Sequence, residues 1–196
     1  MSGEKIQEVL DFWFATRQLD ELTIDSRMDR WFDDDVDFNA TLTKKFKVTA
    51  EQALNAELDD WVNTPHGQLA LILLLEQFPR KIYGNTEESL RGDRKALKIC
   101  EQGVVNESYK TLSAIEQLFF FMPLQRAESI KIQNTSVKVF RSLADRVSET
   151  MRDTFDTVAH FAELRHDIIK EFGRFPHRNA SLGRANTSDE DFYLSF

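Results

Sequence analysis

The most constraining feature of the sequence is an uninterrupted apolar run at positions 69–75. Thr64 and Pro65 precede it, and this pair is typical of a helix start, because threonine caps free N–H groups and proline suits the first helical position. We therefore predict a helix over residues 66–77. Since the run is apolar on every side, that helix belongs in the centre of the protein. Pro79 should end it, because proline disfavours helical geometry in the residue before it.

Apolar residues recur at helical spacing along most of the remaining chain. The first stripe runs from Ile6 through Leu10 to Phe14, which places these side chains on one helix face. The same pattern predicts helices at residues 28–32, 37–58, 93–102, 113–122, 130–144 and 155–172, with Gly103 capping the end of the one at 93–102. The sustained alternation of apolar and polar residues that marks a strand is missing from the sequence. The sequence therefore predicts an all-α, single-domain protein of about eight helices.

Two short motifs predict helix starts independently of periodicity. Ser113 with Glu116, and Thr187 with Glu190, match the capping box, in which two side chains bind each other's backbone N–H groups. The second box predicts a short helix near the C-terminal end of the chain. Pro123 should stop the helix that the first box opens.

Charge and cysteine content narrow the class of protein. The chain of 196 residues carries a formal charge of −8, so it lacks the broad basic face that nucleic acid requires. Its longest apolar run is far shorter than the roughly 20 residues that span a bilayer, and its N-terminal apolar stretch contains acidic residues, unlike a signal peptide. Cys100 is the single cysteine, which suits a reducing compartment. We expect a cytoplasmic protein that binds neither nucleic acid nor membrane.

One segment near the C-terminus is basic although the protein is acidic. Residues 172–186 contain Arg174, His177, Arg178 and Arg184 and no Asp or Glu. Arginine offers planar, bidentate donors to carboxylate and phosphate groups, and an irregular loop before a helix start leaves N–H groups open to anions. The segment therefore predicts an anion pocket. The alternative is a structural clasp, in which each arginine ties down a neighbouring carbonyl or carboxylate.

Two further residues are candidates for acid–base chemistry. Glu76 adjoins the central apolar run, and a buried carboxylate must be paired or protonated. It shares a helix face with Arg80 four residues on. Glu76 could act as a general acid or base, or it could anchor an arginine of the basic segment. His166 could titrate near neutral pH, and its alternative is a surface or helix-capping role.

A third group of polar residues follows Pro123. Arg126, Glu128 and Gln133 are candidates because a ligand site needs polar side chains that converge from several helices. Metal and cofactor motifs are missing from the sequence: the four histidines have no zinc-site spacing, and no nucleotide-binding glycine loop occurs. We therefore predict neither a metal nor a cofactor.

Four stretches of the sequence together resemble one protein family. They are F-W-F at 12–14, L-L-E-Q-F-P-R at 74–80, F-M-P-L at 121–124, and F-G-R-F-P-H-R-N with L-G-R behind it at 172–184. They are similar to DUF924, a bacterial family of unknown function, and the resemblance spans nearly the whole chain. It implies an all-helical fold similar to tetratricopeptide-repeat (TPR-like) superhelices, built from stacked antiparallel helices. It implies no reaction.

The resemblance also marks individual positions. They fall on Glu76, Phe78, Pro79, Arg80, Asp93, Glu128, Gln133, His166, Gly173, Arg174, Pro176, His177, Arg178, Asn179, Gly183, Arg184 and Thr187. The sequence departs from the family pattern at Glu76, where aspartate is expected, and at Arg126 and Ala127, where the pattern has His-Ser before the glutamate. The chain therefore lacks the two residues that would serve as base and nucleophile in a mechanism based on that His and Ser. Arg126 instead adds positive charge for an anion.

Two hypotheses follow for function. The first is a pocket for an anionic small molecule, a carboxylate or phosphate, with catalysis an open question. Its candidate catalytic residues are Glu76, His166 and His177, and its candidate ligand-binding residues are Arg80, Arg126, Glu128, Gln133, Arg174, Arg178, Asn179 and Arg184. It predicts that the arginines converge on one concave site. The second is a TPR-like module that binds a peptide partner in an open groove, with the basic segment as a clasp. The apolar tail at 192–196 leaves a homodimer open.

Overall fold

A computed structural model describes residues 2–15, 27–28, 30–32 and 35–195. Helices make up the regular secondary structure of these residues. They are α1 (Ser2–Phe14), α2 (Val36–Leu54), α3 (Pro65–Ile72), α4 (Phe78–Tyr83), α5 (Asp93–Val105), α6 (Ala114–Arg126), α7 (Ile130–Ala144), α8 (Glu149–Phe172) and α9 (Ser188–Tyr193). Short 3₁₀-helices lie at Asp59–Asn63, Glu87–Leu90, Ser108–Thr111 and Pro176–Arg178. Residues 27–28 and 30–32 are also helical, whereas residue 29 of the predicted helix at 28–32 lies outside the described residues. The prediction of an all-helical fold is confirmed for this part of the chain, and the TPR-like arrangement stays a prediction.

The apolar run forms the axis of the fold, as predicted. The side-chain oxygen of Thr64 accepts a hydrogen bond of 3.1 Å from the N–H of Gly67 and so caps α3. Residues 69–75 and Phe78 are completely buried. They belong to one core shared by α1, α2, α5, α6, α7 and α8.

The prediction that Pro79 ends this helix is wrong. A π-helical turn, Leu73–Gln77, joins α3 directly to α4, and Pro79 lies in the first turn of α4. Proline has no N–H for the carbonyl four residues earlier and clashes with it in a regular helix. Here that carbonyl belongs to Leu75, which lies in the π turn, and it packs against Gly92 of the neighbouring segment. Such turns are rare and often lie at functional sites.

Three other predicted helix ends are also wrong. The helix predicted over 37–58 ends at Leu54. Gly103 is not a C-cap, because α5 continues to Val105. A Cβ atom on Gly103 would lie 2.3 Å from Cζ of Phe120, so the glycine provides room for packing between α5 and α6. Pro123 lies inside α6, which continues to Arg126. The residues around Pro123 are buried, and tertiary packing outweighs the local preference of the proline.

Both predicted capping boxes are present. Glu116 accepts the backbone N–H of Ser113 at 2.8 Å at the start of α6. At α9, Glu190 accepts the N–H of Thr187 at 2.7 Å, and the Thr187 hydroxyl accepts the N–H of Glu190 at 3.2 Å. The second box fixes α9 directly behind the basic segment.

Helix pairing brings the candidate residues together at one end of the core. α7 packs against α8, α6 packs against α7 and α5, and α4 packs against α2. The end of α6 and the start of α5 thereby lie next to α4. The basic segment packs against the same place. None of the helices that the structure describes combines the length and the apolar character needed to cross a membrane.

Candidate functional site

A completely buried carboxylate anchors the site. Glu76 lies in the π turn, and its Oε1 accepts hydrogen bonds from Nε of Arg126 at 3.1 Å and from the amide of Gln77 at 3.0 Å. Nη1 of Arg80 is 3.8 Å from the same oxygen. Glu76 is therefore paired with arginines of α6 and α4. The second oxygen, Oε2, has no hydrogen-bond partner among the described residues.

Asp93 holds the second arginine of the site. The guanidinium of Arg80 donates two parallel hydrogen bonds to the two oxygens of Asp93, both of 2.8 Å, and a third of 2.6 Å to the carbonyl of Glu76. Burial alone would lower the pKa of Arg80, but Glu76 and Asp93 raise it above its ordinary value. Arg80 is thus a fixed cation.

Arg178 reaches the same place from the basic segment. The 3₁₀-helix Pro176–Arg178 directs its side chain inward, and the residue is 9% exposed. Nη1 of Arg178 donates to the carbonyl of Arg126 at 3.1 Å and lies 3.6 Å from Oδ2 of Asp93. Its guanidinium carbon is 4.6 Å from the ring centre of Phe175. Desolvation lowers the pKa of Arg178 to about 10; Asp93 counteracts this effect, and Arg80 and Arg126 add to it.

These three guanidinium groups border one small cleft. The arginine cleft has a volume of about 150 Å³ and is lined by Arg80, Gly84, Asn85, Thr86, Ser89, Leu90, Arg126, His177, Arg178 and Ser181. Three cations from three separate elements face two carboxylates, Glu76 and Asp93, so the cluster has one formal positive charge in excess. The loop between α4 and α5 adds small polar side chains.

His177 lies at the edge of this cleft, with its ring 5.4 Å from the ring of Phe175. Desolvation lowers the pKa of His177 to about 4, with further lowering by Arg178 and Arg126. The imidazole is therefore neutral at pH 7 and can accept a proton or a hydrogen bond there.

Several N–H groups of the cleft remain available. Arg126 uses Nε on Glu76, and Arg178 uses Nη1 on the Arg126 carbonyl. Within the described part of the chain, both Nη groups of Arg126 and the Nε and Nη2 groups of Arg178 have no hydrogen-bond partner. Desolvation and Arg80 lower the pKa of Arg126, although Glu76 and Asp93 oppose this. An anion in the cleft would offset that cost.

The other two arginines of the basic segment form a structural clasp. Arg174 donates to the two oxygens of Glu190 at 2.6 and 2.7 Å. Arg184 donates to the two oxygens of Glu128 at 2.8 and 3.0 Å, and Glu128 also accepts the N–H of Phe175 at 2.8 Å. Burial alone would raise the pKa of Glu128, but these hydrogen bonds lower it. Each of these arginines faces its own carboxylate, and neither lines the cleft.

The remaining candidates also lie outside the lining of the cleft. Asn179 is buried and donates to Asn186 at 2.8 Å and to Glu190 at 3.3 Å, within the clasp. Gln133 donates to three backbone carbonyls at the end of α6, at 2.8–3.3 Å. The ring of His166 contacts Asp167 and Asn134, each at 3.0 Å, on the outside of α8. The structure thus brings Glu76, Arg80, Arg126, His177 and Arg178 together and leaves Asn179, Gln133 and His166 apart from them.

Asp93 is the member of the site that local sequence patterns do not single out. The family resemblance marks it, but an aspartate in the first turn of a helix is common for reasons of capping alone. Gly92, directly before Asp93, marks the place where α5 approaches the π turn closely. Only glycine fits there, because a Cβ atom would lie 2.0 Å from the carbonyl oxygen of Leu75. Groups of three or more metal-ligating side chains do not occur among the described residues.

Comparison with known proteins places the chain in a family. The sequence model of bacterial proteins of unknown function, DUF924, matches residues 9–196. The chain belongs to the DUF924 family. A solved structure of a protein of unknown function from Agrobacterium tumefaciens is similar to this DUF924 chain with 29% identity and a TM-score of 0.83, over 99% of this chain and 98% of that one. No curated protein matches the chain. Membership agrees with the resemblance inferred from the motifs, and it assigns no reaction.

Proposed function

We propose that this DUF924 protein binds a small anion, a carboxylate or a phosphate, in the arginine cleft. The observation that carries the proposal is the meeting of Arg126 and Arg178, each with unused N–H groups, in one cleft that has an excess positive charge. Buried charges in proteins are nearly always paired. A bound anion would complete the pairing here.

The supporting groups make the cleft rigid before any ligand enters. Glu76 holds Nε of Arg126, and Asp93 holds both Nη groups of Arg80. Arginines that are already oriented lose little conformational entropy on binding, and their planar N–H pairs match the oxygens of carboxylate and phosphate. The clasp adds to this order, because it fixes the segment on which Arg178 lies.

The size of the cleft limits the ligand. Pockets for drug-sized molecules measure about 300–1,000 Å³, whereas the arginine cleft measures about 150 Å³. It therefore suits a small anion, or the anionic end of a longer molecule. Of the candidate catalytic residues Glu76, His166 and His177, only His177 belongs to the described lining, so a proton taken up in the cleft would go to this imidazole.

The test is isothermal titration calorimetry of the protein with inorganic phosphate, sulfate and malonate. We expect at least one to bind, and Arg126→Gln to weaken it about tenfold or more through loss of a charged double donor. The matched control is Arg141→Gln. Arg141 is exposed on α7 and forms an ion pair with Glu163 of α8. This variant should leave the affinity unchanged.

Arg126→Gln leaves the buried Glu76 with less charge compensation. A second cleft variant is therefore needed in case the first does not fold. Arg178→Gln leaves Asp93 bound to Arg80 and still removes N–H groups from the cleft. If none of the three anions binds at millimolar concentration, or if both cleft variants bind as tightly as the control, the proposed function is wrong.

A further inference from the structure

A second, larger pocket lies on another side of α6. It has a volume of about 350 Å³ and is lined by Met28, Phe32, Met122, Gln125, Val158, Phe161 and Arg165. Apart from Gln125 and Arg165, these side chains are apolar. Its volume falls within the range of about 300–1,000 Å³ that small-molecule sites occupy. We call it the α6–α8 pocket.

Arg165 is the exceptional residue of the α6–α8 pocket. Nη1 of Arg165 donates to Oε1 of Gln125, and its guanidinium carbon lies 5.8 Å from the ring centre of Phe161. It makes no ion pair with any carboxylate among the described residues. In contrast, each arginine of the cleft and of the clasp has a carboxylate within 4.0 Å.

The surroundings of Arg165 oppose its charge. Desolvation lowers the pKa of Arg165 to about 9, and Arg126 and Arg178 add to this effect, while Glu76 counteracts it. Gln125 is completely buried and supplies a neutral acceptor, since its own amide is held by the Val158 carbonyl at 3.3 Å. A cation that is desolvated without a carboxylate partner attracts an anion more strongly than an exposed one.

We propose that the α6–α8 pocket binds an apolar monocarboxylate, with the carboxylate on Arg165 and the hydrocarbon part against Met122, Val158 and Phe161. The charge of Arg165 favours an anion, and the apolar walls disfavour a small, strongly hydrated ion such as phosphate. Phe161 and Phe32 are 47% and 41% exposed, so the apolar surface opens toward solvent. This site shares no lining residue with the arginine cleft and stands independently of the function proposed above.

The experiment compares octanoate with octanamide, which has the same hydrocarbon chain and no charge, by isothermal titration calorimetry on the full chain. We expect octanoate to bind at least about tenfold more tightly than octanamide, because a charge-assisted hydrogen bond to Arg165 is available to the carboxylate alone. Because the arginine cleft also attracts carboxylates, Arg165→Gln is made in the Arg178→Gln background, where it should remove this preference. Arg141→Gln and the cleft variant Arg178→Gln should keep it, which separates this site from the arginine cleft.

A variant of the pocket wall provides the second measurement. Phe161 is half exposed, so Phe161→Ser should fold and should weaken octanoate binding several-fold through loss of apolar contact. The proposal is overturned if octanoate does not bind at low millimolar concentration, if octanamide binds equally well, or if Arg165→Gln leaves the affinity unchanged. A lower melting temperature of Arg165→Gln with unaltered octanoate binding would likewise assign Arg165 a structural role.

Discussion

Arg80 and Asp93 face each other through two parallel hydrogen bonds of 2.8 Å, although 13 positions separate them in the chain. The side chain of each is 17% exposed, so water weakens this pair only in part. Arg178 lies 3.6 Å from the same carboxylate. Asp93 thus holds α4, α5 and the basic segment together, and it also competes with any anion that enters the arginine cleft.

The first prediction concerns this competition. Asp93→Asn should lower the free energy of unfolding by about 1.5–3 kcal/mol, the usual contribution of hydrogen bonds to charged groups. It should also tighten sulfate binding several-fold, because the asparagine oxygen still holds Arg80 in place while one negative charge leaves the surroundings of Arg80 and Arg178. Urea unfolding and calorimetric titration measure the two effects. Asp153→Asn, on the exposed face of α8, is the control, and weaker sulfate binding by Asp93→Asn would contradict the proposed site.

The second prediction concerns the approach of α5 to the π turn. A Cβ atom on Gly92 would lie 2.0 Å from the carbonyl oxygen of Leu75, which is buried backbone and cannot turn away. Gly92→Ala should therefore destabilise the protein by about 3 kcal/mol through overpacking, as measured by urea unfolding. Gly3→Ala is the matched control, because nothing lies within 4 Å of a Cβ atom there. Equal stability of the two variants would show that α5 can move without cost.

Sequence patterns predict the helices of this fold better than their ends. The run at 69–75 identifies the central helix because a helix that is apolar on all sides has to be buried. The helix continues past Pro79 because of the π turn and because Gly92 leaves room for the Leu75 carbonyl. The contact between Gly92 and Leu75 joins segments that are distant in sequence. Pro123 is tolerated for a similar reason, since α6 is enclosed by other helices.

The candidate site divides in the same way. Composition identifies the basic segment but does not divide it: Arg178 lines the cleft, whereas Arg174 and Arg184 each face a carboxylate outside the cleft. Whether an arginine lies in the cleft or in the clasp depends on which carboxylate it meets. Those carboxylates come from other parts of the chain, so the basic segment alone does not predict the outcome. Arg165 has no sequence signal at all, because one arginine among helical polar residues usually lies in solvent.

The third prediction concerns the clasp at low pH. Hydrogen bonds from Arg174 and from the Thr187 N–H lower the pKa of Glu190 from an ordinary value of 4.5 to about 2. A carboxylate whose pKa is lowered by folding stabilises the protein fully above its ordinary pKa, and this contribution is lost as the pH falls from 4.5 toward 2. The melting temperature of Glu190→Gln should therefore be below that of the wild type at pH 7, and the difference should shrink across this window.

Asp189→Asn provides the comparison for the clasp, because Asp189 is an exposed carboxylate in the same first turn of α9. Its melting temperature should follow that of the wild type at every pH. A constant difference between Glu190→Gln and the wild type from pH 7 to pH 2 would mean that the charge of Glu190 does not stabilise the fold.

The last prediction links anion binding to protons. Desolvation, Arg178 and Arg126 lower the pKa of His177 from 6.5 to about 4, so the imidazole is neutral in the free protein at pH 7. An anion in the arginine cleft favours the charged imidazole and raises this pKa. Binding must then take up protons, and the affinity must increase as the pH falls. We expect sulfate, whose charge is constant over this range, to bind several-fold more tightly at pH 5 than at pH 7.5.

Calorimetry in two buffers with different ionisation enthalpies measures the proton uptake directly. His177→Asn should bind sulfate with little dependence on pH and without proton uptake. His166→Asn is the matched control, because His166 contacts Asn134 on α7 and does not line the cleft, so this variant should keep the wild-type profile. If His177→Asn retains the wild-type pH dependence, another group takes up the proton, and His177 does not face the bound anion.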